Sequence, residues 1–191
     1  MVNLDALSGG ADAARPEDFS ADELPWQAKN QAFLTQGSGY SALQMTKPQT
    51  PAFALNDSPV GLAAWIVEKR RSWSDCGGNV ESRFSKDDLL TTIMIYWVTR
   101  SIGSSMRYYY ETAHRPWVPS HRRWPVVEAP TGIAVLPHEV MLQPHRWAER
   151  YYNLRHWSVL PRGGHFAPME EPERLAEDIR SFFRPLRSQL A

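Results

Sequence analysis

The strongest candidate for chemistry in this sequence is a histidine on a glycine-rich turn. His165 lies in the segment Arg162-Gly163-Gly164-His165-Phe166, shortly after the apolar run 157–160. Proteins with parallel sheets place their reactive groups where strands end. A neutral imidazole at such a position can accept a proton from water, so we predict that His165 acts as a general base.

A carboxylate partner is available at the end of another apolar run. Glu139 follows residues 126–136 and precedes His165 by 26 residues. An acid beside a histidine holds one tautomer of the ring, but from spacing alone Glu139 is equally well explained as a helix-capping residue. Glu170 and Glu171 adjoin Pro172, and we interpret both as residues that favour a helix N-terminus.

A histidine–acid pair needs a nucleophile to serve, and the common ones are missing from the sequence. No G-x-S-x-G segment occurs, which argues against a serine hydrolase. Cys76, the single cysteine, lies in a glycine-rich turn ahead of the predicted strands and is a poor thiolate candidate. His138-Glu139 and His145 do not form H-E-x-x-H, so we expect no metal site and no cofactor.

Tyrosines supply candidate proton donors. A phenol can protonate a developing alkoxide, and Tyr40 and the run Tyr108-Tyr109-Tyr110 are the candidates. Successive helical residues point about 100° apart, so at most one or two of the run can face one pocket. The aromatic-rich middle of the chain is compatible with a core of large rings or with an apolar pocket, and periodicity alone favours structural roles.

The elements that must position these residues change character along the chain. Residues 1–50 read as loop-rich apart from a short helix over 25–35, and helices are predicted to start at Ser58-Pro59 and at Ser85. A break is predicted over 102–105. Beyond residue 125, strand–helix–strand–helix patterning predicts strands over 126–136 and 157–160 and a last helix from Pro172. This is an α/β fold that ends a larger parallel sheet.

Composition excludes several classes of protein. The 191 residues suffice for a real core, and 21 basic against 21 acidic side chains leave no net field for nucleic acid. No apolar run approaches the roughly 20 residues of a membrane span, and the amino-terminal stretch lacks a signal-peptide pattern. We expect a soluble, cytoplasmic protein without nucleic-acid or membrane partners.

Several stretches together carry a family resemblance, in order and most clearly from about residue 37 onward. They are Gly39-Tyr40, Thr46-Lys47-Pro48-Gln49-Thr50, Ala54-Leu55-Asn56-Asp57-Ser58-Pro59-Val60-Gly61-Leu62-Ala63-Ala64-Trp65-Ile66, residues 84–90, Tyr96-Trp97, Arg162-Gly163-Gly164-His165-Phe166-Ala167 and Glu170-Glu171-Pro172-Glu173. With these stretches the chain resembles the C-terminal half of epoxide hydrolases of the microsomal and juvenile-hormone type, which have the α/β-hydrolase fold.

The resemblance implies a two-step hydrolysis of a small apolar epoxide to a vicinal diol. In that family an aspartate attacks the epoxide carbon and forms an ester, while two tyrosines on a helical cap protonate the oxygen. A histidine–acid pair then activates water. By resemblance His165 is the base, Glu139 its acid, and Tyr40 and Tyr109 the phenols, with Tyr109 ambiguous against its two neighbours. The implied division is 1–36 entry to the cap, 37–122 helical cap and 123–191 C-terminal part of the core.

The departures from the family are large. Nothing resembles its G-G-D-W-G-like nucleophile elbow or its H-G-W-P-like oxyanion loop, and neither Asp5 nor Asp57 has the nucleophile's context. The resemblance thus implies that the chain begins near the sixth strand and has negligible activity alone. Two alternatives stay open: another chain supplies the nucleophile half, or the protein is a non-catalytic remnant or a binding module for apolar ligands.

Overall fold

The computed structural model describes residues 13–187, so Asp5 and the rest of residues 1–12 lie outside the described part. The described residues form two compact units. A helical unit spans Leu34–Val118, and an α/β unit combines residues 13–33 with residues 119–187. Each unit has its own cluster of buried apolar side chains. The longer helices and the strands follow in chain order: α1 (Leu24–Ala32), α2 (Gly39–Thr46), α3 (Gln49–Asp57), α4 (Pro59–Trp73), α5 (Lys86–Thr99), α6 (Ile102–His114), β1 (Val127–Val135), α7 (His145–Tyr151), β2 (Tyr152–Val159), α8 (Ala167–Glu170) and α9 (Pro172–Arg187).

Two helix starts in the helical unit follow the predicted capping chemistry. Ser58 Oγ accepts a hydrogen bond from the Gly61 N–H at the start of α4, and Pro59 occupies the first helical position. At α5, Ser85 Oγ accepts from the Asp88 N–H while Asp88 accepts from the Ser85 N–H. The second arrangement is a capping box with aspartate in place of glutamate.

The expectation of a loop-rich amino-terminal region is wrong for residues 13–50. The chain continues from α1 through a π-helical turn at Phe33–Gly37 into α2, and α3 starts at Gln49. Gly39 is the first residue of α2 and Pro48 is the N-cap of α3. Glycine and proline therefore stand at helix starts here. The N–H that proline lacks has no partner within the first turn of a helix, and a glycine at that position removes no side chain from the helix interior.

The predicted break at residues 102–105 is also misplaced. The interruption lies at Arg100, which adopts the left-handed conformation with φ 52° and ends α5. Its N–H donates to the Trp97 carbonyl, and the Ser101 N–H donates to the Tyr96 carbonyl. Gly103 instead continues α6, where a Cβ atom would lie 3.7 Å from Ala52 of α3. The glycine therefore does not interrupt the helix, and a Cβ atom at that distance would make only ordinary van der Waals contact.

The core of the helical unit joins α3, α4, α5 and α6. Its buried members are Ala52, Leu55, Leu62, Ile93, Ile102 and Met106. The apolar positions of α5 are not all part of it: Leu90, Met94 and Val98 stay exposed. The helix predicted to start at Ser85 is confirmed as α5, but only one of its apolar faces is covered within the unit.

The α/β unit contains the predicted parallel strand pair. Strand β1 pairs with β2 from Val127 opposite Tyr152 to Val135 opposite Val159, with two irregularities in register. The second strand begins earlier than predicted, because it follows α7 without an intervening loop. α7 buries Trp147, Ala148 and Tyr151, against which side chains of both strands pack.

Helix α9 closes the other face of the strand pair. A Cβ atom at Gly132 of β1 would lie 2.9 Å from the Phe182 ring, so the glycine admits that ring against the strand. His156 Nε2 of β2 also lies 2.8 Å from Asp178 Oδ1 of α9. The two helices α7 and α9 therefore hold the strands whose carboxyl ends lead to Glu139 and His165.

Candidate active site

The loops after the two strands are joined by backbone hydrogen bonds. The acid loop, residues 136–142, follows β1, and the histidine turn, residues 160–166, follows β2. The Leu160 N–H donates to the Val135 carbonyl at 2.8 Å, and the His138 N–H donates to the Gly163 carbonyl at 3.0 Å. His138 and Gly164 form a further parallel bridge. The sheet ladder thus extends into both loops and holds them side by side.

Gly163 is required by the geometry of the histidine turn. Its φ is +104°, a region that L-residues rarely adopt. A Cβ atom here would lie 2.7 Å from Leu136 Cδ2 and 3.1 Å from Glu171 Cγ. The absence of a side chain lets the backbone turn sharply against the acid loop, which brings His165 to Glu139.

His165 and Glu139 form a close pair. Their atoms Nδ1 and Oε1 are 2.7 Å apart, and the Val140 N–H donates to the same Oε1 at 2.7 Å. Because an ionised carboxylate can only accept, Nδ1 carries the proton and Nε2 keeps its lone pair. The side chain of His165 is 35% exposed and that of Glu139 18% exposed, so Nε2 can meet water while the carboxylate is sheltered. This arrangement is that of a general base with an orienting acid.

Two ion pairs of a buried carboxylate brace the histidine turn from the other side. The Glu171 side chain is 3% exposed and lies 2.6 Å from Arg162 Nε and 3.2 Å from Arg174 Nε. Glu170 accepts a hydrogen bond from the Phe166 N–H at the start of α8, so its observed capping contact is with α8 and not with the helix that begins at Pro172. Glu171 directly precedes Pro172 at the start of α9, and its carboxylate also ties the histidine turn to α9 by charge.

Helix α1 is hydrogen-bonded to the acid loop, a contact that the sequence did not reveal. Asn30 Nδ2 donates to the Leu142 carbonyl and its Oδ1 accepts from the Leu142 N–H, both at 2.8 Å. Lys29 Nζ donates to the Pro137 carbonyl at 2.6 Å. Burial lowers the pKa of Lys29, and the Glu139 carboxylate opposes part of that shift. A buried asparagine was the one possible signal, but its partner lies more than 100 residues away in the chain, at Leu142.

The tyrosines form their own cluster in the helical unit. The rings of Tyr40 and Tyr109 meet edge to face with centroids 5.9 Å apart, and the Trp73 ring lies 5.0 Å from that of Tyr40. Burial, together with the phenol of Tyr109, raises the pKa of Tyr40 well above its usual range. Tyr40 therefore stays protonated at neutral pH and can donate a hydrogen bond.

The neighbours of Tyr109 have other contacts. Tyr108 is 63% exposed, and Tyr110 stacks on His114 with centroids 3.9 Å apart. Of the three, Tyr109 is the one for which a ring contact with Tyr40 is found. Lys69 lies over the Tyr40 and Trp65 rings at 5.2 Å from each centroid, a cation–π arrangement that sequence reasoning did not anticipate.

Neither a metal centre nor a membrane span emerges from residues 13–187. This part of the chain holds no cluster of three or more metal-ligating side chains. Within the same range, every helix is too short or too polar to cross a lipid bilayer.

Comparison with known proteins identifies relatives of the chain. It is 46% identical over 169 residues to epoxide hydrolase 1 of Oryctolagus cuniculus and 44% identical over 156 residues to juvenile hormone epoxide hydrolase 2 of Ctenocephalides felis. The crystal structure of juvenile hormone epoxide hydrolase from Bombyx mori superimposes on it with a TM-score of 0.78 and 31% identity. The chain is homologous to epoxide hydrolases of the microsomal and juvenile-hormone types.

The match to epoxide hydrolases covers most of this chain but only part of their length. The alignments cover 84% and 78% of this chain but 37% and 33% of the two sequence relatives. In the silkworm structure the match covers 98% of this chain and 45% of that chain. The chain thus spans well under half of the epoxide hydrolases it matches, consistent with their C-terminal part, and it has the corresponding part of the α/β-hydrolase fold. No family model matches the chain.

Proposed function

We propose that this chain provides the water-activating pair and the proton-donating tyrosines of an epoxide hydrolase. His165 is the base that activates water, Glu139 is the acid that orients it, and Tyr40 and Tyr109 protonate the epoxide oxygen. The observation that carries the proposal is the His165–Glu139 pair at 2.7 Å, on turns joined by backbone hydrogen bonds, in a homologue of epoxide hydrolases. The helical unit takes the role of the cap.

The proposed chemistry proceeds in two steps. An aspartate carboxylate attacks one epoxide carbon, the carbon–oxygen bond breaks, and a phenol proton passes to the departing alkoxide. The product of this step is an ester between the aspartate and the hydroxyalkyl group. His165 Nε2 then takes a proton from water, and the resulting hydroxide attacks the ester carbonyl. Ester cleavage releases the vicinal diol and restores the carboxylate, and the proton held by His165 returns through solvent to the tyrosinate left by the first step.

The nucleophilic aspartate of this scheme comes from outside these 191 residues. We assign no such role to Asp57, because it lies at the end of α3 beside the N-cap of α4 and not in a strand-to-helix elbow. The polypeptide by itself is therefore inactive on epoxides, and a segment carrying the nucleophile completes the site. The substrate is a small apolar epoxide.

Co-expression with the amino-terminal half of a related epoxide hydrolase tests the proposal. The isolated chain should not turn over styrene oxide, and the assembled pair should. In the assembly, His165→Ala should abolish turnover yet leave the ester intact, which intact-mass measurement detects as a nucleophile chain heavier by one epoxide. A Tyr40→Phe, Tyr109→Phe variant should slow ester formation instead.

The outcomes separate the proposal from its rivals. Turnover by the isolated chain that disappears with His165→Ala would show that the nucleophile is present in it after all. Styrene oxide binding without ester or turnover in any combination, and equal in the His165→Ala variant, would favour a module that binds apolar ligands.

A further inference from the structure

Helix α5 carries large apolar side chains on two opposite sides. On its inner side Leu89 and Ile93 are buried in the helical unit. Its outer side bears a second apolar row, which we call the α5 stripe; its members are between 48% and 67% exposed and are Leu90, Met94, Ile95 and Val98. A helix that is apolar on every side is normally covered on every side. The stripe therefore has the composition of an interface and lacks a cover within residues 13–187.

Opposite charges stand at the two ends of the α5 stripe, and none lies between them. The sequence from residue 89 to residue 99 contains no acidic or basic side chain. Asp87 lines the same shallow groove as the stripe, at the start of α5. Arg100 ends the helix about 20 Å away, at 1.5 Å per residue. Both residues are exposed, and neither side chain has an ion-pair partner in the described part of the chain.

The backbone at Arg100 is an unusual one for an arginine. Its φ of 52° lies in the left-handed region, which side chains with a Cβ atom disfavour and in which helices commonly end on glycine or asparagine. Glycine would end α5 at a lower cost in free energy. The arginine therefore points to a use for a positive charge at this end of the α5 stripe.

The apolar row and its end charges are complementary to themselves under a two-fold rotation. When two α5 helices pack antiparallel with Met94 near the axis, Leu90 of each copy faces Val98 of the other. The same arrangement brings Asp87 of each copy to the end of the other helix, where Arg100 lies. Each stripe is then covered by an identical stripe, and each unpaired charge approaches one of opposite sign.

We propose that the α5 stripe is the interface through which two copies of this chain form a two-fold dimer. The inference concerns the helical unit and does not depend on the proposed function. Burial of the stripe supplies the attraction, and the end charges fix the antiparallel direction of the two helices. One helix from each copy makes a small interface, so we expect a weak dimer with a dissociation constant of about 10–100 µM.

Exchange of the end charges tests the dimer on the full 191-residue chain. In a two-fold pair, Asp87→Arg or Arg100→Asp places like charges together twice, so each variant should raise the dissociation constant about 10-fold or more in analytical ultracentrifugation. Mixing the two variants creates a pair in which both contacts again join opposite charges. The mixed dimer, followed through a fluorescent label on one variant, should have a dissociation constant within about 3-fold of that of the unsubstituted chain.

A substitution at the centre of the α5 stripe supplies a second test. Met94→Glu places two carboxylates near the two-fold axis and should raise the dissociation constant about 30-fold or more. Phe53→Glu is the matched control, because it replaces a 75% exposed apolar side chain on α3, outside the stripe, and should leave the dissociation constant unchanged. All the substituted positions are exposed in the single chain, so circular dichroism should show every variant folded.

The α5 interface is supported if each charge variant weakens the dimer, mixing restores it and Met94→Glu abolishes it, whatever the epoxide experiments give. A chain that stays monomeric at about 500 µM would overturn the proposal. Self-association that Met94→Glu leaves intact would overturn it as well, and would assign the contact to another surface such as the open edges of the strand pair. If the variants weaken only the assembly with the amino-terminal half of a related epoxide hydrolase, that half covers the stripe and the dimer is refuted.

Discussion

Replacement of Gly163 by alanine probes the turn that brings the base to its acid. The variant puts a side chain where φ is +104°, which costs an L-residue about 1–3 kcal/mol. Its Cβ would also lie 2.7 Å from Leu136 Cδ2, and Leu136 is buried. Forcing that methyl group aside adds about 1–3 kcal/mol. We expect Gly163→Ala to lower the free energy of unfolding by about 4 kcal/mol, a large fraction of the 5–15 kcal/mol of an ordinary domain.

Two other glycines separate the contributions in urea unfolding followed by circular dichroism. Gly77 has φ +57° with no heavy atom within 4 Å of its added Cβ, so Gly77→Ala measures the backbone cost alone. Gly132 has no such φ but would place Cβ 2.9 Å from Phe182, so Gly132→Ala measures overpacking alone. Each should cost about 1–3 kcal/mol, less than Gly163→Ala.

A double-mutant cycle identifies the clash itself. Leu136→Ala removes the methyl group that the new Cβ meets, so it should cost about 1–2 kcal/mol less in the Gly163→Ala background than in the unsubstituted chain. The reasoning is refuted if Gly163→Ala costs no more than Gly77→Ala, or if the two substitutions in the cycle are additive.

Three further predictions concern charges and caps. Burial alone would raise the pKa of Asp18, but hydrogen bonds from Arg150 at 3.0 and 3.2 Å help to lower that pKa below its usual value. The pair therefore stabilises the fold above about pH 4. Asp18→Asn should lower the free energy of unfolding by about 1–3 kcal/mol at neutral pH and by almost nothing near about pH 2. Tyr40→Phe should remove a phenol that ionises well above the usual range of tyrosine in a spectrophotometric titration, since burial raises the pKa of Tyr40; an unchanged curve at high pH would contradict this. Ser85→Ala should cost about 1 kcal/mol in urea unfolding through loss of the α5 cap, whereas the exposed Ser104→Ala should cost less than about 0.5 kcal/mol.

Structural features could be predicted from the sequence wherever they depend on residues close together in the chain. The cap at Ser85 with Asp88, the proline start after Ser58 and the parallel strand pair were all predicted, because each follows from neighbouring side chains or from residue period. The misplaced break near Gly103 shows the limit. A glycine can end a helix or continue one, and here the left-handed Arg100 ends α5 while Gly103 continues α6.

The pairing of His165 with Glu139 was proposed from strand-end positions and from family resemblance, while spacing alone left the acid at even odds. What decides their 2.7 Å contact is the backbone ladder that continues past β1 and β2 into both loops. Such hydrogen bonds join residues far apart in sequence, so no local pattern encodes them.

The sequence by itself determined the helical and strand periodicities, the caps, the histidine on its glycine turn and the kinship with epoxide hydrolases. Only the tertiary structure showed that α1 brackets the acid loop through Lys29 and Asn30 and that Tyr109 is the partner of Tyr40. The physical reason is the same in both cases. Burial and hydrogen bonding act through space, and the groups that hold the acid loop or surround Tyr40 meet them only after the chain has folded.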